Sequence, residues 1–317
     1  MTRRAVVLMN LGGPDSLRAV RPFLINLFSD PAIITLPYAL RWLLARLIAW
    51  RRTRVAMDIY SYLGGGSPLL ANTEAQARAL EAALGGGARC FVAMRYWHPM
   101  TAAAVADVKA WQPDEIVCLP LYPQYSTTTT ASSLAAWRKE AARQGLDCPT
   151  TTVESYPAAP GLIEALAGQI DPVLDRAAEE HATVRLLLSA HGLPLKIVKA
   201  GDPYPQQIAE TAAAVSAVLA RPGLDWVVCY QSRVGPLAWL GPSVDEELRR
   251  AGRDRVAVVV APISFVSEHS ETLVELDRDY RRLAEEHAVP GYYRAPAVGT
   301  DPRFIAALAA LVNKAGA

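Results

Sequence analysis

The sequence has little excess charge and no paired cysteines. Its 32 Lys and Arg residues nearly balance 31 Asp and Glu residues, which leaves a net charge of +1. Because nucleic acids are bound by basic surfaces, no nucleic-acid partner is expected. The cysteines form no CxxC motif; they are Cys90, Cys118, Cys148 and Cys229. This scatter argues against a zinc site or a disulfide framework and is typical of a reducing compartment.

The dinucleotide fingerprint GxGxxG is also absent. The glycine-rich stretch GGGSP, residues 64–68, does not follow a predicted strand, so a dinucleotide cofactor is not indicated. The N-terminal MTRRAVVLMNLGGP is a poor secretory signal, because Gly-Gly-Pro interrupts its short apolar run and no small-residue cleavage site follows. We interpret it as a buried strand and its turn, and we expect a cytoplasmic protein.

Alternating apolar runs and helical patterns predict a doubly wound α/β fold. The runs are continuous in Val, Ile and Leu, which is typical of strands buried on both faces of a parallel sheet. A Pro-rich stretch near 157–161 predicts domains at 1–158 and 159–300, with a last helix in 301–317 that can pack on either. The predicted strands are 5–11, 90–96, 115–121, 151–156, 184–190, 225–232 and 255–263, and the predicted helices include 72–84, 132–145, 160–180 and 204–220.

Residues 32–50, AIITLPYALRWLLARLIAW, are numerous enough for a membrane span. Pro37 interrupts the stretch, however, and Arg41 and Arg46 would be costly at the centre of a bilayer. The predicted helix carries one leucine stripe, formed by Leu40, Leu43, Leu44 and Leu47. We interpret it as an amphipathic helix that touches a membrane surface or covers an apolar ligand, with an ordinary surface helix packed on the core as the alternative.

The residues that follow the predicted strands are rich in aromatic side chains and include two histidines. Ligands of open α/β sheets bind beyond the carboxyl ends of the strands, so this composition favours a flat, mostly apolar ligand with a polar rim. His191 is the strongest candidate, because it leaves a fully apolar strand and the next residue, Gly192, lets the backbone approach a ligand. The alternative for His191 is a core histidine hydrogen-bonded to a neighbouring loop.

Acidic residues recur in FVSEHSETLVELDRDY, residues 265–280. Glu271, Glu275 and Asp279 fall at i, i+4 and i+8, which places them on one face of an α-helix over about 12 Å. Carboxylates near an imidazole suit transient binding of a divalent metal or relay of protons. The alternative is a solvated face neutralised by nearby arginines, which are Arg278, Arg281 and Arg282.

Seven longer motifs together carry a family resemblance. They are LMNLGGPDS, YLGGGSPL, MRYWHPMT, LPLYPQYSTTT, SAHGLP, YQSRVGPLAWLGP and PISFVSEHSETLVELD, spread from residue 8 to residue 277. Through them the chain closely resembles the ferrochelatases, which insert ferrous iron into a porphyrin at the end of haem synthesis. The resemblance implies two Rossmann-like domains, each a mostly parallel four-stranded sheet flanked by helices, with the active-site cleft between them.

The resemblance also implies roles for single residues. The invariant histidine of the family is His191 here, and the catalytic glutamate of its HxET motif is Glu271. Together with the acidic positions further along the helix, the implied metal-binding set is His191, Glu271, Glu275 and Asp279. The implied porphyrin-binding residues are Leu11, Tyr60, Arg95, Tyr96, Ser126, Gln231 and Trp239, and Arg52, with Arg51 as the alternative, is a candidate partner for the porphyrin carboxylates.

The chain departs from the family pattern at two positions. Many ferrochelatases hold a [2Fe-2S] cluster through C-terminal cysteines and one cysteine that follows LPLYPQYS. Thr127 occupies that internal position and no cysteine follows Cys229, so no cluster and no permanently bound cofactor is expected. Glu268 stands where the family often has Asp, a difference of one methylene that we expect to be tolerated.

The resemblance implies Fe²⁺ and a free-base porphyrin as substrates, with protoporphyrin IX as the first choice. The alternatives are a coproporphyrin ferrochelatase, another tetrapyrrole metal chelatase, and a non-catalytic porphyrin carrier. A carrier would need neither His191 nor Glu271. Contact of the 32–50 helix with the inner membrane and a monomeric or homodimeric state complete the expectations.

Overall fold

The computed structural model describes residues 2–233 and 235–316. The chain divides into two compact units. The first unit runs to Ser155 and also takes in the residues from Leu308 onward, and the second is Tyr156–Ala307. Each unit is built around one sheet flanked by helices.

The described part of each unit contains a four-stranded sheet in which every neighbouring pair of strands is parallel. The strands are β1 (Arg4–Asn10), β2 (Ala88–Met94), β3 (Glu115–Pro120), β4 (Thr150–Thr152), β5 (Val184–His191), β6 (Asp225–Gln231), β7 (Ala257–Pro262) and β8 (Tyr292–Arg294). Their order is β2-β1-β3-β4 in the first unit and β6-β5-β7-β8 in the second. These sheets confirm the predicted α/β class with mostly parallel four-stranded sheets.

Helices connect the strands in both units. They are α1 (Val20–Phe28), α2 (Tyr38–Tyr62), α3 (Leu69–Leu84), α4 (Thr101–Trp111), α5 (Thr130–Gln144), α6 (Pro160–Glu180), α7 (Leu195–Lys199), α8 (Tyr204–Leu219), α9 (Val244–Asp254), a π-helix (Glu271–Asp279), α10 (Tyr280–Glu286) and α11 (Pro302–Ala315), with a short 3₁₀ turn at Leu17–Ala19.

The central strands are mostly apolar because helices cover both faces of each sheet. Ala5, Val6, Val7 and Leu8 of β1 are 0% exposed, and all six residues of β7 are buried. The first core packs β1 and β3 against α4 and α5, and the second packs β5 and β7 against α9 and the π-helix. The last residue of each central strand therefore lies at the carboxyl edge of its sheet, in a position fixed by the packed core.

The seven predicted strands are all present, and their ends differ from the predicted ones by a few residues at most. The edge strand β8 was not predicted, because a three-residue strand is too short to show an apolar period. It is held by its parallel pairing with β7 rather than by its own composition.

The apolar helix α2 begins after Pro37 and continues for 25 residues, beyond the predicted end at 50. It packs through small residues, because Ala45 and Ala49 are 0% exposed. Three leucines of the predicted stripe remain exposed to 45–59%; they are Leu40, Leu43 and Leu47. The helix thus packs on the core as the surface-helix alternative requires, but the leucine stripe does not face that core. In the part of the chain that the structure describes, no helix has both the length and the apolar character of a membrane crossing.

Candidate active site

His191 is the last residue of β5, the strand flanked by β6 and β7 in the second sheet. Its main-chain N–H donates to Oγ of Ser264 at 3.1 Å, and the hydroxyl of Tyr204 donates to its carbonyl at 3.1 Å. The backbone is held from two sides, yet the side chain is 43% exposed. His191 is therefore not the core histidine of the alternative interpretation, and its ring is accessible to a ligand.

The absence of a Cβ at Gly192 allows the end of β6 and the ring of Trp239 to lie close to its backbone. A Cβ at this position would lie 2.8 Å from the carbonyl oxygen of Gln231 and 3.3 Å from Cε3 of Trp239. The N–H of Gly192 also donates to that carbonyl at 2.8 Å. Glycine is therefore required here by the end of β6 and the indole ring, which occupy the space of a Cβ, and the close approach of a ligand to this backbone stays a prediction.

Glu271 forms a short hydrogen bond to His191. Its Oε2 lies 2.8 Å from Nδ1 of the imidazole. Burial works to raise the pKa of Glu271, but the charge and the hydrogen bond of His191 lower it to about 2. Burial likewise works to lower the pKa of His191, but the charge and hydrogen bond of Glu271 raise it above its usual value. The two side chains are thus an ion pair from about pH 2 up to the raised pKa of the imidazole.

Glu271 and Glu275 lie on a π-helix, so the α-helical geometry expected for residues 271–279 is wrong. An α-helix has 3.6 residues per turn, so residues four apart pass beyond one full turn. A π-helix is wider, with i→i+5 hydrogen bonds, so the same residues fall short of a full turn. The two carboxylates therefore point to positions that the spacing in the sequence does not predict.

Ser232, just beyond β6, contacts both carboxylates. Its N–H donates to Oε1 of Glu275 at 2.8 Å, and its hydroxyl lies 2.5 Å from Oε2 of Glu275 and 3.1 Å from Oε2 of Glu271. Ser232 has a φ of 62°, in the left-handed region that costs a non-glycine residue roughly 1–2 kcal/mol. This conformation directs the N–H and the hydroxyl to the same carboxylate.

The pKa of Glu275 is shifted in the opposite direction to that of Glu271. Burial and the negative charge of Glu271 raise the pKa of Glu275, although Ser232 stabilises its anion. The fully buried amide of Gln231 donates to Oε2 of Glu275 at 3.2 Å and to the carbonyl of Glu271 at 3.0 Å. Ser189 in turn donates to Oε1 of Gln231 at 2.7 Å. One carboxylate thus stays ionised while the next takes up a proton more readily.

Asp279 has a different partner. Its Oδ1 accepts from Nε of Arg278 at 2.8 Å, so neutralisation by a nearby arginine, the alternative interpretation, applies to Asp279. Within residues 2–233 and 235–316, no group of three or more His, Cys, Asp and Glu side chains is arranged to hold a metal ion. The metal-binding set of His191, Glu271, Glu275 and Asp279 stays a prediction.

Arg95 and Tyr96, predicted to bind porphyrin, meet at the buried carboxylate of Asp30. Its Oδ2 accepts from Nη2 of Arg95 at 2.6 Å, from the hydroxyl of Tyr96 at 2.8 Å and from Oγ of Ser132 at 2.5 Å. Burial works to raise the pKa of Asp30, but the hydrogen bond of Ser132, the main-chain N–H of Ala32 and the charge of Arg95 lower it. Arg95 keeps a 22% exposed side chain, whereas Tyr96 is 1% exposed.

The other predicted porphyrin-binding residues divide by burial. Tyr60, Ser126 and Gln231 are buried, so in this conformation they can act on a ligand only through their neighbours. The half-buried ones are Leu11, Arg52 and Trp239. Direct contact with porphyrin stays a prediction for the whole set.

Four residues of these networks were not predicted, and their signals differ. Ser232 and Ser264 stand at the ends of predicted strands, so closer attention to those ends would have found them. Tyr204 and Asp30 had no local signal. Asp30 lies 65 residues before Arg95, and only the folded chain brings the two together.

The fold is that of the chelatases. A sirohydrochlorin chelatase, SirB from Bacillus subtilis subspecies spizizenii in complex with cobalt, matches 99% of this chain and 95% of its own, with a TM-score of 0.57 and 11% identity. SirB from Bacillus subtilis with Fe³⁺ matches 99% of this chain and 96% of its own, with a TM-score of 0.55 and 11% identity. At such low identity the likeness shows the fold alone.

Sequence comparison gives the family. The Ferrochelatase family model matches residues 3–316. The ferrochelatase of Caulobacter vibrioides (strain NA1000 / CB15N) is 56% identical, covering 99% of this chain and 90% of its own. That of Wolbachia pipientis wMel is 49% identical, covering 98% of both chains. The chain belongs to the ferrochelatase family, as its motifs predicted, and it is a metal-inserting enzyme of the lyase class.

Proposed function

We propose that this ferrochelatase inserts Fe²⁺ into protoporphyrin IX, late in haem biosynthesis. The free-base ring must lose two N–H protons as its nitrogens take the metal, so the enzyme needs a base and a carrier for the ion. The observation that carries the proposal is the accessible His191–Glu271 pair, joined at 2.8 Å, in a chain of this family.

The opposite pKa shifts of the pair suggest a division of labour. Glu271, with its pKa lowered to about 2, is a poor base but a permanent anion that can hold Fe²⁺. His191, with its raised pKa, is protonated in the resting ion pair, and it becomes the stronger base once Fe²⁺ at Glu271 has displaced that proton through Ser232 towards Glu275. We therefore assign removal of the porphyrin protons to His191 and delivery of the metal to Glu271.

Glu275 is the proposed next carrier for protons leaving the pair. The hydroxyl of Ser232 lies between Oε2 of Glu271 and Oε2 of Glu275, so hydrogen-bonding groups run continuously from His191 to Glu275. The raised pKa of Glu275 suits transient protonation. Asp279, whose side chain is 39% exposed, is the proposed exchange point with solvent for ions or protons.

Porphyrin binding is assigned in two groups. Arg95 and Arg52 are the proposed partners of the porphyrin carboxylates, because guanidinium groups bind carboxylates strongly. Leu11 and Trp239 are the proposed apolar contacts that hold the ring distorted, which uses binding energy for strain. The buried members support these contacts; they are Tyr60, Tyr96, Ser126 and Gln231.

Several assignments concern the whole protein. We propose domains at 1–158 and 159–300, a cytoplasmic location with peripheral contact to the inner membrane through α2, and a monomer or homodimer. Porphyrin and ferrous iron are the proposed partners, with no nucleic acid. We also propose that the enzyme works without a [2Fe-2S] cluster or any other bound cofactor, since Thr127 replaces the internal cysteine of the family pattern.

Substitution of the pair tests the proposed chemistry. We expect His191→Ala to reduce iron insertion by about 100-fold or more, as removal of a general base does, and Glu271→Gln to cause a loss of about the same size because a neutral amide is a poor ligand for Fe²⁺. Porphyrin binding, followed by absorbance or fluorescence titration, should be retained in both variants. Normal turnover of either variant would contradict its assigned role.

A panel of substrates separates the remaining alternatives. Insertion of Fe²⁺ and Zn²⁺ is measured with protoporphyrin IX and with coproporphyrin. Faster turnover of coproporphyrin would identify the enzyme as the coproporphyrin form, and preference for another metal or tetrapyrrole would identify a related chelatase. Tight porphyrin binding with no spectral change on adding Fe²⁺ would favour a carrier.

A further inference from the structure

Arg294 of the edge strand β8 holds two carboxylates that flank the acidic residues of the π-helix. Its Nε donates to Oδ1 of Asp277 at 2.7 Å, and its Nη1 donates to Oε1 of Glu268 at 2.8 Å. Glu268 lies three residues before Glu271, and Asp277 lies two residues after Glu275. One guanidinium thus connects the segment that leads into the π-helix with its last turn.

The guanidinium at the centre of this bridge is largely buried, and the two carboxylates are half-buried. The side chain of Arg294 is 11% exposed, and those of Glu268 and Asp277 are 24% and 31% exposed. Oε1 of Glu268 also accepts from the main-chain N–H of Ala297 at 2.9 Å. Burial works to raise the pKa of Glu268, but the charge of Arg294 lowers it, so the carboxylate stays charged. Ion pairs held this way are far less weakened by solvent than surface pairs.

Packing alone does not fix this side of the helix. A cavity of about 530 Å³ lies beside it, and Asp277, Arg281 and Arg294 are among its lining residues. Arg281 donates to the carbonyls of Asp277 and Tyr292 and lies over the Tyr292 ring, so its described hydrogen bonds go to the main chain rather than to the carboxylates of the helix. Arg294 thus joins a carboxylate before the π-helix and a carboxylate within it to the edge strand β8, on a side of the helix different from that contacted by His191 and Gln231 through Glu271 and Glu275.

We propose that Arg294 is a positioning residue that maintains the π-helical register of Glu271 and Glu275. π-Helices are rare, and a local change to α-helical hydrogen bonding would rotate Glu275 relative to Glu271. The bridge opposes that change, since Glu268 and Asp277 stay on one guanidinium only while the turns between them keep their width. This inference rests on the proposed metal and proton roles of Glu271 and Glu275.

The test compares Arg294→Gln with Arg294→Lys in the full-length enzyme. Partners that support metal ligands typically change metal affinity or activity by about 10–100-fold, so we expect the KM for Fe²⁺ to rise by about 10-fold or more in Arg294→Gln. The KM for porphyrin should change little. Arg294→Lys should recover only part of the loss, because an ammonium is a point charge and cannot span both carboxylates as a planar fork does.

Arg185→Gln is the matched control. Arg185 is also a buried arginine of the second sheet that bridges two carboxylates, Asp225 at 2.6 Å and Asp254 at 2.9 Å, but it lies at the start of β5. Arg185→Gln should lose thermal stability to a similar degree and keep the KM for Fe²⁺. Equal KM values for Fe²⁺ in Arg294→Gln and Arg185→Gln would overturn the proposal.

Hydrogen exchange separates this proposal from the catalytic assignments. In Arg294→Gln, the amides of residues 271–279 should exchange faster than in the parent and in Arg185→Gln. If Glu271→Gln remains active, the assigned role of Glu271 fails, but the exchange measurement still decides whether Arg294 holds the helix. Unchanged exchange at 271–279 would refute the positioning role, whatever the catalytic result.

Discussion

Ser232 forms hydrogen bonds to both acids of the site. Ser232 provides Glu275 with both an N–H and a hydroxyl, and the same hydroxyl lies 3.1 Å from Glu271. Its left-handed φ is strained for a residue with a side chain. The hydrogen bonds that this conformation allows offset its strain. Both the serine hydroxyl and the left-handed backbone are therefore needed for the contact with Glu275.

Ser232→Ala and Ser232→Gly separate the hydroxyl from the backbone strain. Both variants lose the hydroxyl, so we expect both to raise the KM for Fe²⁺ by about 10-fold or more. Glycine adopts positive φ freely, so Ser232→Gly should be the more stable of the two by up to about 1 kcal/mol. Iron-insertion kinetics and thermal unfolding measure the two effects. Parental kinetics in Ser232→Gly would show that the hydroxyl is dispensable.

The His191–Glu271 pair predicts a particular pH dependence. The lowered pKa of Glu271 contributes stability that is complete above the unfolded value of about 4.3 and is lost as the pH falls towards about 2. The raised pKa of His191 contributes stability that is complete below the unfolded value of about 6.5 and is lost as the pH rises through the folded value. Both contributions are complete between about pH 4.3 and 6.5.

Titration of the histidine ring by NMR checks this interpretation. Glu271→Gln removes the charge that raises the pKa of His191, so the titration midpoint of His191 should move to lower pH. The parent enzyme, titrated under the same conditions, is the control. An unchanged midpoint for His191 would contradict the assigned electrostatic coupling.

At the scale of elements, the helix α2 and the π-helix both differ from the pattern of their sequences. The leucine stripe of α2 matches an ordinary amphipathic helix, yet three of its leucines face solvent. The acids at 271, 275 and 279 match an α-helix, yet the chain forms a π-helix there. Departures from local expectation are concentrated at functional sites in natural proteins, because function imposes arrangements that local stability does not favour.

The exposed leucines of α2 are expected to bind a membrane surface. Replacing Leu40, Leu43 and Leu47 together by serine should reduce sedimentation with anionic phospholipid vesicles, because burial of apolar area and attraction of nearby arginines drive such binding. Since these side chains are exposed, thermal stability should change little. Val218→Ser on α8, also at a 50% exposed site, is the control and should bind like the parent. Equal sedimentation of the triple variant would contradict the membrane role.

At the scale of the whole molecule, the chain folds as two α/β units whose division falls within α11, between Ala307 and Leu308. Phe304 on one side of this point and Leu308 on the other are both 0% exposed. The helix predicted over 301–317 therefore belongs to neither unit as a whole.

Core truncations in α11 test this division. Phe304→Ala should destabilise the protein by about 3–5 kcal/mol and Leu308→Ala by about 2–5 kcal/mol. Hydrogen exchange should show that Phe304→Ala weakens protection mainly in the second unit, and that Leu308→Ala weakens protection mainly in the first. The same pattern of weakened protection in both variants would contradict two separate cores.

The sequence by itself determined the class of fold, seven of the eight described strands and the family. Continuous apolar runs predict buried parallel strands, and His191 and Glu271 stand in specific motifs, so neither required coordinates. Only the tertiary structure decided the π-helical register, the contact of Ser232 with two carboxylates and the burial of Tyr96 against Asp30. The contacts of Ser232 and Tyr96 depend on hydrogen bonds between residues far apart in the chain, and the π-helix departs from the local preference for an α-helix, so neither is expressed in a local sequence pattern.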